Sequence, residues 1–137
     1  MATTGYSGTP LTRKLGVQQD YSVLLVNEPK HYLSLFEDMP EVNYIEKPTK
    51  QSVDFIHLFC TDKTKFEKQS LQLKSALKMT GILWVSWPKG SSKIKNDLGR
   101  DYIREFLLQN GLIDVKVCAV NQDWSGLKFM YRFKDRK

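Results

Sequence analysis

Few residues in this sequence combine the type and the place that chemistry needs. Glu46, Asp62 and Trp87 each stand where an apolar run gives way to polar residues. A carboxylate there can accept hydrogen bonds from the hydroxyls of a sugar, and the three together are candidate ligand-binding residues. A second group is Trp87-Pro88-Lys89-Gly90-Ser91-Ser92-Lys93. Pro88 stiffens the exit from the preceding run, and Gly90 lets the backbone turn. The hydroxyls of Ser91 and Ser92 and the ammonium groups of Lys89 and Lys93 can then surround an anion. The spacing of glycine and lysine is not that of a Walker loop, and a solvated basic loop is the simpler reading.

The other reactive side chains point away from catalysis. His57 sits inside an apolar run, as a hydrogen-bonded core residue does, while His31 opens a short helical stretch. Neither has a serine or cysteine in a recognisable nucleophile motif. Cys60 and Cys118 lie in apolar runs and belong to no Cys-x-x-Cys, so they read as buried thiols. The carboxylates are scattered, with no pair that the sequence alone brings together. No catalytic residue and no metal ligand is assigned.

At 137 residues the chain suits one domain, residues 1–137, and its 41% hydrophobic content is enough for a core. The longest apolar runs, Val23 to Val26 and Ile82 to Trp87, are too short to cross a bilayer. The opening Met-Ala-Thr-Thr-Gly-Tyr is neither basic nor apolar, so no signal peptide is expected and a cytoplasmic location follows. The net charge of +6 suits an acidic protein partner, a small anion or nucleic acid. It is spread out, thickening at Lys89, Lys93 and Lys95 and at the C-terminal tail. That favours a solvated surface over a nucleic-acid interface.

Periodicity supplies the elements that must position these residues. Thr9 can cap a short helix with Pro10 in its first position, running through Leu11 and Leu15 to a stop at Gly16. Tyr21 to Asn27 reads as a strand ended by Pro29. His31 to Phe36 suits a short helix, Val42 to Glu46 a brief strand, and Val53 to Cys60 a nearly apolar one. Thr64-Lys65-Phe66-Glu67 has the form of a capping box. The helix it opens has Phe66, Leu73 and Leu77 on one face, with Leu71 alongside and Gly81 as its stop. Ile82 to Trp87 is a fourth strand. A loop from Lys89 to Asp97 leads to an amphipathic helix with Tyr102, Ile103, Phe106 and Leu107 inward, closed by Asn110-Gly111. Finally Ile113, Val115, Val117 and Ala119, then Leu127, Phe129, Tyr131 and Phe133, alternate with their neighbours around a loop from Asn121 to Gly126. That is the pattern of an antiparallel hairpin.

Strands alternating with helices imply right-handed crossovers and a parallel sheet covered on both faces. The fold class is therefore α/β, a Rossmann-like three-layer sandwich of about six strands ending in an antiparallel hairpin. This arrangement resembles the Rossmann-like methyltransferases in abbreviated form. Ligands of open α/β sheets bind beyond the carboxyl ends of the strands. That places Asn27-Glu28-Pro29, Glu46-Lys47, Thr61-Asp62 and Trp87-Pro88-Lys89 on one edge. Such folds use an acid at the place of Glu46 to hold ribose hydroxyls. They also want glycines in the turn after the first strand, so that backbone N–H groups can approach the ligand. Here that turn reads Asn27-Glu28-Pro29-Lys30-His31-Tyr32, without glycine, and Pro29 has no N–H. Tight binding of S-adenosylmethionine or a dinucleotide is not expected, and no cofactor is assigned.

Three runs carry a closer resemblance. They are Tyr6-Ser7-Gly8-Thr9-Pro10-Leu11 with Lys14-Leu15-Gly16, then Leu83-Trp84-Val85-Ser86-Trp87-Pro88-Lys89, then Val115 to Val120 leading to Trp124-Ser125-Gly126-Leu127-Lys128-Phe129. Together they resemble a small bacterial family, domain of unknown function 3052, itself related to the methyltransferase fold. The resemblance implies a bacterial cytosolic protein and brings no activity, substrate or catalytic residue. Physically, Gly8 and Gly126 permit backbone conformations that side chains forbid. Trp87 and Trp124 read as anchors that pack the N-terminal segment, with Tyr6 to Leu11 folding back as a lid, or that line a pocket. The expectation is a non-enzymatic binding or interaction module on a degenerate methyltransferase-like fold. Two alternatives stand beside it. One is a methyltransferase-like enzyme holding S-adenosylmethionine through Glu46, Asp62 and Trp87. The other is an anion or nucleic-acid binder using Lys89, Ser91, Ser92, Lys93 and Lys95.

Overall fold

The computed structural model describes residues 10–36 and 39–135. Along them run α1 (Leu11–Leu15), β1 (Ser22–Val26), a 3-10 turn (Tyr32–Leu35), β2 (Asn43–Tyr44), β3 (Val53–Phe59), α2 (Lys63–Ala76) and β4 (Leu77–Pro88). Then come α3 (Arg100–Gln109), β5 (Leu112–Ala119), β6 (Trp124–Tyr131) and a short 3-10 turn, Phe133–Asp135. The strands form one sheet in the order β2-β1-β3-β4-β6-β5. β2, β1, β3 and β4 pair in parallel. β6 is inserted antiparallel between β4 and β5. This is the expected mostly parallel α/β sheet finished by a hairpin.

Burial on both faces explains why the central strands are apolar throughout. Successive side chains of a strand point to opposite faces. Ile56 and Leu58 of β3, with Leu83 and Val85 of β4, meet Phe66 and Leu73 of α2 and Ile103 and Leu107 of α3. Phe55 and Phe59 of β3, with Trp84 of β4, meet Leu15, Val17, Tyr32 and Phe36 on the other face. The N-terminal segment is fastened there by the Trp84 indole, which donates from Nε1 to the Leu15 carbonyl at 2.8 Å.

Several element ends differ from the sequence reading. Pro10 takes the cap position of α1, while Gly16 stops the helix as expected, in a left-handed conformation (φ 83°) with its N–H bonded to Thr12 O. Asp62, not Thr64, caps α2. Its carboxylate accepts the Lys65 N–H at 2.9 Å, which places Thr64 inside the first turn and leaves no capping box. The helix ends at Ala76, and Gly81 lies within β4 instead of stopping α2. A Cβ on Gly81 would lie 2.7 Å from Leu77 Cδ1 and 3.0 Å from Val53 O, so glycine serves the close approach of β3 where the register shifts. The stretch after β1 forms only a 3-10 turn, closed by Tyr32 N–H to Pro29 O at 3.0 Å and Ser34 N–H to His31 O at 3.0 Å. In the hairpin, Trp124, Ser125 and Gly126 belong to β6, paired with Pro88, Trp87 and Ser86, and the loop shortens to residues 120–123. A bulge between Asp114 and Lys116 bends β5, whose Ile113, Val115 and Val117 face outward. Among the described residues no helix is long and apolar enough to cross a membrane.

Candidate functional site

The chain leaves β1 for β2 on one side, and β3 pairs with β1 on the other. The carboxyl end of β1 is therefore the topological switch point, where open sheets leave a crevice. Asn27 stands there at φ 59°. A short polar side chain tolerates this left-handed region, so the tight turn forms without glycine. The Asn27 carboxamide spans the crevice, donating from Nδ2 to Phe59 O at 3.0 Å and to Gln69 Oε1 at 3.0 Å.

Two cavities flank this turn, each of about 700 Å³. The first lies beyond β1 and β2, between Leu25, Glu28, Pro29, Tyr32, Tyr44 and Glu46. Pro29 and Tyr32 form its wall and do not fill it. Glu46 is exposed at the rim, just past the end of β2. The second lies beyond β1 and β3 against one face of α2, between Asn27, Phe59, Cys60, Lys65, Lys68 and Trp124.

A buried polar chain ties the wall of the first cavity to the middle of the sheet. Tyr32 Oη lies 3.0 Å from His57 Nδ1, and His57 Nε2 lies 2.7 Å from Ser86 Oγ. His57 is wholly buried and stacks on Phe59 with centroids 4.2 Å apart. Burial pushes its pKa down to about 3, so the ring is neutral, with one nitrogen donating and the other accepting. Burial, then the charges of Tyr44 and Glu28, push the Tyr32 hydroxyl far above its ordinary value. His57 is thus the hydrogen-bonded core residue that its apolar setting predicts.

Of Glu46, Asp62 and Trp87, only Glu46 borders the first cavity. Asp62 is engaged in capping α2, and the Trp87 ring is buried in the layer beneath α2 and α3. In the basic loop, Ser92 Oγ donates to the Asp123 carboxylate at 3.1 Å, and Lys89 N–H donates to Asp123 O at 2.8 Å. The hairpin thus already supplies an anion to Ser92. Ser91 and Lys93 are exposed. Pro88 is buried opposite Trp124, and Ser125 pairs with Trp87 and Ala119. Gly126 is needed for space and not for a left-handed backbone, since a Cβ there would lie 3.0 Å from Trp84 Cε3. Trp124 meets Phe59 edge to face at 5.0 Å. Tyr6, Ser7, Gly8 and Thr9, and with them the proposed lid, lie outside the described residues. Cys60 and Cys118 are free thiols. Burial chiefly, with Asp62 adding and Lys65 opposing, pushes Cys60 up to about 12. Among the described residues no cluster of His, Cys, Asp and Glu is suited to a metal.

Lys65, Lys68, Gln69 and Gln72 were not singled out from the sequence. Their spacing, i, i+3, i+4 and i+7, marks one helix face, but only the packing of α2 shows that it looks across the strand ends.

No protein-family model matches the chain, so the resemblance to the small bacterial family has no such support. No curated protein matches it in sequence. Solved structures do match in fold. An S-adenosylmethionine-dependent methyltransferase from Aquifex aeolicus superposes with a TM-score of 0.56 at 15% identity, over 89% of this chain and 88% of that one. A TehB-like S-adenosylmethionine-dependent methyltransferase from Corynebacterium glutamicum gives 0.57 at 11% identity, over 89% and 85%. The 1,6-didemethyltoxoflavin-N1-methyltransferase of Burkholderia thailandensis, solved with S-adenosylhomocysteine bound, gives 0.58 at 12% identity, over 88% and 74%. The chain has the Rossmann-like methyltransferase fold.

Proposed function

We propose that this chain binds S-adenosylmethionine in the manner of a methyltransferase-type protein, with the adenosine half in the first cavity. The observation that carries this reading is an open cavity at the switch-point edge with the Glu46 carboxylate at its rim. It supports the methyltransferase-like alternative over the non-enzymatic binding or interaction module. The fit is uneven along the ligand. Glu46 can accept ribose hydroxyls, and Leu25, Pro29 and the exposed Tyr44 ring offer apolar and aromatic surface to a base. The amino-acid half finds less. The turn has no glycine, Pro29 offers no N–H, and the 3-10 turn of residues 32–35 is too short to present a helix N-terminus to a carboxylate. The nucleoside end therefore carries most of the affinity. When bound, S-adenosylmethionine supplies an electrophilic methyl group, and the residues named here hold its nucleoside.

Titration calorimetry of the full chain with S-adenosylmethionine tests this. Binding is expected, and Glu46→Gln is expected to weaken it about tenfold, or about 1.4 kcal/mol, as for a lost hydrogen bond to a charged acceptor. Equal affinity of the two proteins would remove Glu46 from the site.

A further inference from the structure

We propose that the second cavity, between Phe59, Trp124 and the Lys65–Gln72 face of α2, is a binding site for a small aromatic anion. The ligand class is an arene carrying a carboxylate or a phosphate. Shape and charge both point there. The cavity, about 700 Å³, is large enough for a single-ring or two-ring compound. One wall is aromatic. Phe59 and Trp124 meet edge to face, with centroids 5.0 Å apart and planes at 85°, and Trp124 is only half-buried. Phe59 is itself buried, so the half-buried Trp124 is the ring left to receive a third one.

The opposite wall is cationic. Lys65 and Lys68 lie one turn apart on the same face of α2, while Phe66, Ser70 and Leu73 turn to the sheet. Among the described residues neither ammonium group has an ion-pair partner, and no carboxylate lines the cavity. Asp62, whose charge reaches Cys60, is turned to the Lys65 N–H as the cap of α2. Like charges at this spacing repel, and an anion between them relieves it. The Cys60 thiol stays neutral and adds no negative charge. Between the two walls, Gln69 is oriented by Asn27, which donates to its Oε1 at 3.0 Å, so the Gln69 amide N–H groups remain as donors. Rings on one side, two cations on the other and an oriented amide between them match a planar ring with an anionic substituent.

The test follows the Trp124 indole N–H resonance of the full chain while 4-hydroxybenzoate, phenyl phosphate or the neutral 4-hydroxybenzamide is titrated in. One or both anions are expected to shift the resonance saturably. The anion that binds tells carboxylate from phosphate. The neutral amide is expected to bind at least tenfold more weakly, and the anion's affinity is expected to fall as salt rises. The double variant Lys65→Gln/Lys68→Gln changes two exposed side chains and is expected to lose at least tenfold in anion affinity at unchanged thermal midpoint. Glu46→Gln is expected to leave it unchanged. The inference is overturned if neither anion shifts Trp124, if the amide binds as well, or if the double variant binds as the parent does. It stands independently of the adenosine reading, because each cavity has its own ligand and its own variant.

Discussion

His57 shows how much one buried polar residue can fix. Its ring joins Tyr32, in the wall of the first cavity, to Ser86 at the centre of the sheet. His57→Phe leaves both hydroxyls buried without this partner, and each such loss costs about 1–3 kcal/mol. Urea unfolding is expected to show a loss of at least about 2 kcal/mol for this variant. The same residue gives stability a pH dependence. Its folded-state pKa is lowered to about 3 from an ordinary 6.5, so its contribution is complete above about 6.5 and is lost as pH falls toward 3. The slope attributable to it approaches about 1.4 kcal/mol per pH unit. His57→Gln, which keeps a donor and an acceptor without a titrating ring, is expected to lose less stability between pH 6.5 and 4.5 than the parent. Equal losses would show that His57 does not remain neutral. The core role of His57 was legible from its apolar neighbours. That Asn27 replaces glycine at a left-handed position was not, because the glycine rule concerns the commonest residue and not the conformation itself.

Elements were legible from periodicity, but their ends were not. Leu77 continues the apolar spacing of α2, so nothing local separates the end of that helix from the start of β4. The partner Val53, distant in sequence, settles it. At the other end of α2 two capping residues compete, Asp62 and Thr64, and the extended backbone of Asp62 decides. Asp62→Ala is expected to destabilise the fold by about 1 kcal/mol, and Thr64→Ala by much less, in thermal unfolding. The hairpin loop read from the sequence was too long because glycine and serine suggested a turn. In fact Gly126 lies in β6 and is small so that the strand can pass Trp84 and Ser86. Gly126→Ala is therefore expected to cost about 1–3 kcal/mol by overpacking. Variants with unchanged unfolding midpoints would show that this contact is looser than the geometry implies.

At the scale of the molecule, alternating strands and helices made the α/β class and the closing hairpin legible. The full strand order β2-β1-β3-β4-β6-β5 was not legible from periodicity, since it depends on pairing far along the chain, and the antiparallel insertion of the last strand followed only from the resemblance to the methyltransferase fold. The candidate site divides in the same way. Glu46 follows from strand position alone. The second cavity exists only once α2 is laid beside the ends of β1 and β3. The topology thus places two cavities on either side of one glycine-free turn, and under the proposed function that turn decides which part of S-adenosylmethionine is held. Calorimetry comparing S-adenosylmethionine with 5′-methylthioadenosine, which lacks the amino-acid group, tests this most directly. The two are expected to bind within a few-fold of each other, and Glu46→Gln is expected to weaken both. Failure of both ligands to bind, or loss of binding when the amino-acid group is removed, would contradict an adenosine site at Glu46.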